Sequence, residues 1–193
     1  MPDELLHLDT AALHTLAHPL RSRLLLELRL HGAATATDLA GRLDTNTGAT
    51  SYHLRKLESV GLVTDTGTGA GKRRIWEAST RGHAWTPSEF AGDPDAEASV
   101  TWLTRFYQST LAERVDRWAD LQHQWPAAWR DVLGSGDDGV TVTAPQARAM
   151  WDEIEAVVRS YRDAGAGDPD ARWVQVWTHV LPIDDRPPAP EGS

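Results

Sequence analysis

The side chains best suited to chemistry fall in two short stretches. The first holds Asn46, Thr47, Gly48, Ser51, Tyr52, His53, Arg55 and Lys56. These are hydrogen-bonding groups and cations, with Glu58 the only carboxylate among them. Donors, acceptors and cations on one narrow face match the two things DNA offers, base edges in the major groove and phosphates along the backbone. Thr47, Gly48, Ser51 and Tyr52 would approach base edges, with glycine permitting close contact. Arg55 and Lys56 would meet phosphate. His53 would do either, or pack beside Ala49. The second stretch is Lys72, Arg73 and Arg74, the densest positive cluster in the chain. Three consecutive cations on alternating sides cannot all reach one surface, so one or two are expected to touch a phosphate or the minor groove.

The first stretch must be a helix to present those groups together. Thr50, Leu54 and Leu57 stand at i, i+4 and i+7, a stripe that faces a core, while Gly48, Ser51, Tyr52 and Arg55 fall on the other side. Asn46 is a good N-cap and Gly61 a good C-terminal stop. Ahead of it, Thr35-Ala-Thr-Asp38 has the form of a capping box and opens a short helix with Leu39 and Leu43 buried. A tight turn at Asp44-Thr45 joins the two into a helix-turn-helix. Behind it, Leu62–Thr66 and Lys72–Ala78 read as two strands around a glycine-rich tip, a hairpin or wing that carries the second stretch. Upstream, residues 8–17 form a helical pattern that ends at His18-Pro19, and Leu20, Leu24, Leu25 and Leu28 line a helix that ends at Gly32.

The chain has 193 residues, no cysteine and a net charge of −9. Cysteine catalysis, thiolate metal sites and disulfides are therefore excluded. The charge is unevenly placed. Residues 1–80 balance, whereas residues 81–193 hold the whole excess of acid and eight of the nine tryptophans. A neutral half can meet phosphate while an acidic half faces away. The acidic opening lacks a long apolar run, so neither a signal peptide nor a membrane anchor is expected and the cytoplasm is the default location.

Residues 81–97 contain Gly, Pro, Ser and Asp without periodicity and read as a linker. A long helix follows from Ala98 to about Gln124, with Val100, Leu103, Tyr107, Leu111, Val115, Trp118 and Leu121 on one face. Residues 126–133 suit a short helix. Val140–Thr143 alternates like a strand, Thr143-Ala-Pro-Gln146 caps a helix to about Arg162, and Arg172–Leu181 reads as a strand that could pair with residues 139–143. Residues 182–193 form a proline-rich tail with the composition of disorder.

Other chemistry finds little support. Gly67–Lys72 is not a phosphate loop, because Thr66 and Arg73 replace the required glycine and hydroxyl and a strand follows where a helix should. His7, His14, His18, His31, His83 and His179 are scattered without ligand spacing, and no catalytic arrangement of nucleophile and base occurs. No enzyme and no cofactor are expected. Trp102, Trp118, Trp125, Trp129, Trp151, Trp173 and Trp177 leave two readings open, a core with a subunit interface or an effector cavity. The first is preferred.

Residues 10–78 resemble the ArsR-type winged-helix regulators. Leu16-Ala-His-Pro-Leu-Arg-Ser-Arg-Leu-Leu25 is similar to that family's opening helix pair. Asp38-Leu-Ala-Gly-Arg-Leu43, Thr50-Ser-Tyr-His-Leu-Arg-Lys-Leu57 and Val60-Gly-Leu-Val63 are similar to its helix-turn-helix, and Arg74-Ile-Trp-Glu-Ala78 to its returning wing strand. Residues 98–181 resemble the extended C-terminal region of some actinobacterial-type members. The resemblance implies a homodimeric, sequence-specific DNA-binding protein, commonly a repressor released by a ligand. The metal-sensing members use cysteine pairs or Asp/His sets. The first are absent here, and Asp116, Asp120 and His123 form an incomplete set.

The expectation is thus an α+β chain. It has a winged helix-turn-helix domain over residues 8–80, a linker over 81–97, a mostly helical dimerisation and effector region over 98–181 with a small two-stranded β element, and a disordered tail. Its expected partners are double-stranded DNA, a second copy and a small-molecule effector, with no membrane. Two rival classes are a winged helix that docks protein and a small-molecule-binding protein with a tryptophan-lined cavity.

Overall fold

The computed structural model describes residues 5–69, 71 and 73–184. Lys72, the first four residues of the acidic opening and the tail from residue 185 lie outside the described residues. Contacts divide the chain into two units, Met1–Glu113 and Arg114–Ser193.

In the first unit, helix α1 (Thr10–Leu16) starts where Asp9 accepts the amide hydrogen of Ala12, and it buries Ala12, Leu13 and Leu16. His18, held extended by the proline after it, ends this run and caps the next. Its Nδ1 accepts the Leu20 amide at 3.1 Å, and Pro19 opens α2 (Pro19–His31). The short strand β2 (Ala34–Thr35) leads into α3 (Ala36–Arg42), whose capping box is formed in both directions between Thr35 and Asp38. The Thr35 hydrogen bonds, with Arg73 and Arg42 nearby, hold the exposed Asp38 carboxyl below its usual range.

Helix α4 (Thr47–Glu58) is capped by Asn46, whose Oδ1 accepts the Ala49 amide at 2.8 Å. It stops in paired bonds from the Gly61 amide to the Glu58 carbonyl and from the Leu62 amide to the Leu57 carbonyl. Gly61 takes φ +74° there, a left-handed geometry that glycine adopts without a Cβ penalty. The chain then enters β3 (Val63–Asp65), turns, and returns as β4 (Ile75–Ala78). Strand β4 is central in an antiparallel sheet of order β2-β4-β3, with Trp76 opposite both Ala34 and Asp65. The hairpin agrees with the sequence reading. The third strand, β2, is an addition, because two residues are too few to show alternation.

The core of this unit is built from Leu13, Leu16, Leu24, Leu25, Leu28, Leu39, Leu54, Leu57, Leu62 and Trp76, all at most 2% exposed. Burying a leucine side chain contributes about 1.5–3 kcal/mol, so the leucines shared by α2, α3 and α4 hold the outward face of α4 in place.

Residues 81–97 are not the linker expected from their composition. Strand β5 (His83–Ala84) pairs in parallel with β1 (Leu6–His7), and a 3-10 turn at Pro87–Phe90 buries Phe90. Helix α5 (Pro94–Leu121) starts four residues earlier than the apolar periodicity indicated, capped by Asp93, which accepts the Ala96 amide. Ala96 and Leu103 are buried in the same core. Glycine, proline and aspartate here make turns and a cap.

The second unit holds the end of α5, a 3-10 turn at Gln122–Gln124, α6 (Ala127–Arg130) and α7 (Ala144–Ser160). The Thr143–Gln146 capping box forms as expected. The two-stranded β element does not: residues 139–143 and 172–181 carry no strand. A strand pair needs a face to bury, and here Val140, Val142, Trp173, Val174, Val176 and Val180 are all exposed. Among the described residues of this unit none is buried. Trp118, Trp125 and Trp129 meet edge to face at 5.6 and 6.2 Å without entering a buried core; of the expected core and subunit interface, the core part does not form here within one chain. In the first unit, by contrast, Trp85 and Trp102 do pack on the core. No helix among the described residues is long and apolar enough to cross a membrane.

Candidate nucleic-acid interface

The buried stripe of α4 is Thr50, Leu54 and Leu57, as its spacing predicted. With that face fixed on α2 and α3, the opposite one must point to solvent. Asn46, Thr47, Gly48, Tyr52, Arg55 and Lys56 are exposed and Ser51 is half-buried among them. Tyr52 is 55% exposed, and Lys56 Nζ lies 5.8 Å from its ring centre. Arg55 makes no ion pair with any described residue and so keeps its charge available to solvent.

His53 points elsewhere. Its ring lies 4.5 Å from that of His18, the cap of α2, and its Nδ1 is enclosed with no hydrogen-bond partner among the described residues. Burial pushes the pKa of His53 down, and His18 and Arg21 add to the shift; burial and then Arg21 do the same to His18. Arg21 itself donates to the carbonyls of Thr15 and His14, closing the end of α1. Of the alternatives for His53, the geometry is that of packing, against the ring of His18.

The described cations of the hairpin, Arg73 and Arg74, are engaged within the protein. Arg74 reaches Glu58 at 3.4 Å and Asp65 at 3.4 Å, and lies 5.5 Å from the Trp76 ring centre. Arg73 reaches Asp38 at 3.9 Å. Lys72, the third expected contact, is outside the described residues. Spacing along the chain cannot show these partners, which come from α3, α4 and β3. A carboxylate as the last residue of α4 was the one available hint, since that end of a helix disfavours negative charge.

A polar node joins α2, β5 and α5. Arg29 Nη1 donates to His83 Nδ1 at 2.7 Å, Arg29 Nε donates to the Thr80 carbonyl, and Tyr107 Oη lies 3.1 Å from His83 Nε2. A guanidinium can only donate, so His83 Nδ1 must be bare; its proton sits on Nε2 and is given to the tyrosine oxygen. Burial lowers Arg29 to about 10 and raises Tyr107 to about 12. Burial, then the Arg29 charge, hold His83 well below its ordinary value. This node ties the first half of α5 to α2 and β5.

A short helix, a turn, and a second helix with a buried stripe and an exposed polar face are the geometry of a DNA-reading pair. Residues 16–66 match the family model of a helix-turn-helix domain. The match takes in α2, α3, α4 and β3 and stops before β4. No curated protein matches the chain. The helix-turn-helix domain thus contains every base-facing and phosphate-facing candidate on α4, whereas Arg73 and Arg74 lie beyond its matched span. Its presence supports a DNA-binding role in transcription regulation.

Proposed function

We propose that this chain is a sequence-specific transcriptional regulator of the ArsR-type winged-helix kind, acting as a homodimeric repressor. The observation that carries the reading is the division of α4. Three buried residues fix it to the body, and its outward face offers Thr47, Gly48, Ser51, Tyr52, Arg55 and Lys56 with no carboxylate before Glu58. In this reading the first half of α4 approaches base edges and Arg55 and Lys56 meet phosphate. Two such helices about one DNA turn apart read an inverted repeat. The second unit exposes large apolar side chains, among them Val132, Trp173, Val176 and Leu181, and in this reading a second copy covers them. An effector would act by favouring a dimer geometry that no longer spans the half-sites.

Selection of bound sequences from random DNA at a stated salt concentration tests the reading. The expected product is an inverted repeat. Ser51→Glu, which sets a carboxylate against the DNA at a half-buried surface position, should abolish binding while the melting transition persists. Normal binding by that variant would show that α4 is not the reader.

A further inference from the structure

We propose that Arg74 is a positioning residue rather than a DNA ligand: it fixes the angle between the wing and the reading helix by bridging Glu58 on α4 and Asp65 on β3. The inference rests on the DNA-reading role of α4 proposed above, but its structural half stands apart from it.

Three observations converge. The first is geometric. The guanidinium serves two carboxylates on two elements from different sides, Nη1 toward Glu58 and Nε toward Asp65, each at 3.4 Å, while the group lies beside the Trp76 ring. Trp76 is 2% exposed and anchored in the core, so Arg74 rises from a fixed base one residue ahead of β4 and ties together three elements. The second is the position of Glu58. It is the last residue of α4, where the helix dipole is negative and a carboxylate is disfavoured. A cation at that spot offsets the penalty and the repulsion from Asp65. The third is charge. Two carboxylates around one guanidinium leave the trio net negative, so it does not attract phosphate as Arg55 does. A phosphate engaging Arg74 would compete with the two carboxylates that hold the wing.

The consequence is a division of labour among the basic residues. Arg55 adds to the charge that meets DNA, whereas Arg74 adds geometry. Lysine is a poor substitute for Arg74, because an ammonium is a single point charge and lacks the separated N–H groups that meet Glu58 on one side and Asp65 on the other.

The test measures DNA affinity against salt for the full chain and for Arg74→Gln, Glu58→Gln and Arg55→Gln, on the sequence recovered by selection. Arg74→Gln should weaken binding about fivefold at every salt concentration, the factor expected for ion pairs at the upper end of the exposed range. Its slope of log affinity against log salt should equal that of the unaltered protein. Arg55→Gln should flatten the slope by about 0.9, the signature of one lost phosphate contact. Glu58→Gln should weaken binding about as much as Arg74→Gln, although it removes a negative charge from a DNA-facing domain. A flattened slope for Arg74→Gln, or tighter binding by Glu58→Gln, would overturn the proposal. Amide hydrogen exchange supplies the arm that needs no DNA. Both glutamine variants should speed exchange of the Thr66 amide, which bonds to the Ile75 carbonyl across the wing, while the amides of α2 keep their rates. Unchanged wing exchange refutes the bridge. If the unaltered protein selects no DNA while the wing amides respond, it is the DNA reading that fails and the bridge that stands.

Discussion

Acid should destabilise the first unit through His83, and the size of the effect can be worked out. His83 Nδ1 accepts a hydrogen bond from Arg29 at 2.7 Å. Protonation turns that acceptor into a donor and sets two cations side by side in an enclosed node. The folded protein therefore holds His83 neutral, its pKa depressed well below the ordinary 6.5 by burial and by Arg29. The unfolded chain binds the proton as pH falls through 6.5 while the folded chain does not. Stability is thus complete above that value and is lost as pH falls from it toward the folded pKa. A histidine that stays neutral in the fold at about pH 5.5 but titrates normally when unfolded costs the fold about 1.4 kcal/mol at that pH. For a domain near this size that is about 5 °C in melting temperature. The assay is denaturant unfolding near pH 7.5 and near pH 5.5, for the unaltered chain and for His83→Gln. The glutamine variant is less stable at both values, but it should lose about 1.4 kcal/mol less between them. His18 and His53, also depressed by burial, act in the same direction and remain in both proteins, so the difference isolates His83. Equal losses in the two proteins would refute the tautomer assignment and the account of the node.

Two further outcomes concern α4 itself. Leu54→Ala should cost about 2.7–5 kcal/mol by denaturant titration, because Leu54 is fully buried at the centre of the stripe and the cavity cannot collapse between three helices. Asn46→Ala should cost about 1 kcal/mol, the usual loss of an N-cap, measured the same way; it removes the acceptor of the Ala49 amide bond.

The parts of the fold legible in the sequence were those governed by neighbours along the chain. Asp9 and Asn46 are local caps, Thr35 and Asp38 a local box, and Thr50, Leu54 and Leu57 a local stripe, so α1 to α4 follow from spacing. The hairpin followed too, since its two strands flank a glycine-rich tip. What spacing cannot show is pairing across a long interval. Strand β5 finds β1, and β2 finds β4, through two residues each, too short for any alternation. Residues 81–97 therefore looked like linker, although Asp93-Pro94 carried a helix-start signal. The opposite error occurred at Arg172–Leu181, where alternation is present but no surface exists among the described residues to bury either face. At the site, the exposed face of α4 was readable, apart from His53. The partners of Arg73 and Arg74 were not, because each carboxylate comes from a different element.

The arrangement of α4 bears on how such a protein could acquire a new target. Thr47, Gly48, Ser51, Tyr52, Arg55 and Lys56 contribute nothing to the buried core, so the outward face can be rewritten almost freely without loss of the scaffold. Two positions on the same helix segment are exempt from that freedom. Asn46 supplies the cap, and His53 is wedged against the cap of the neighbouring helix. A library that randomises the outward face while keeping those two residues should yield folded proteins with altered preference. One that includes them should mix altered preference with lost stability.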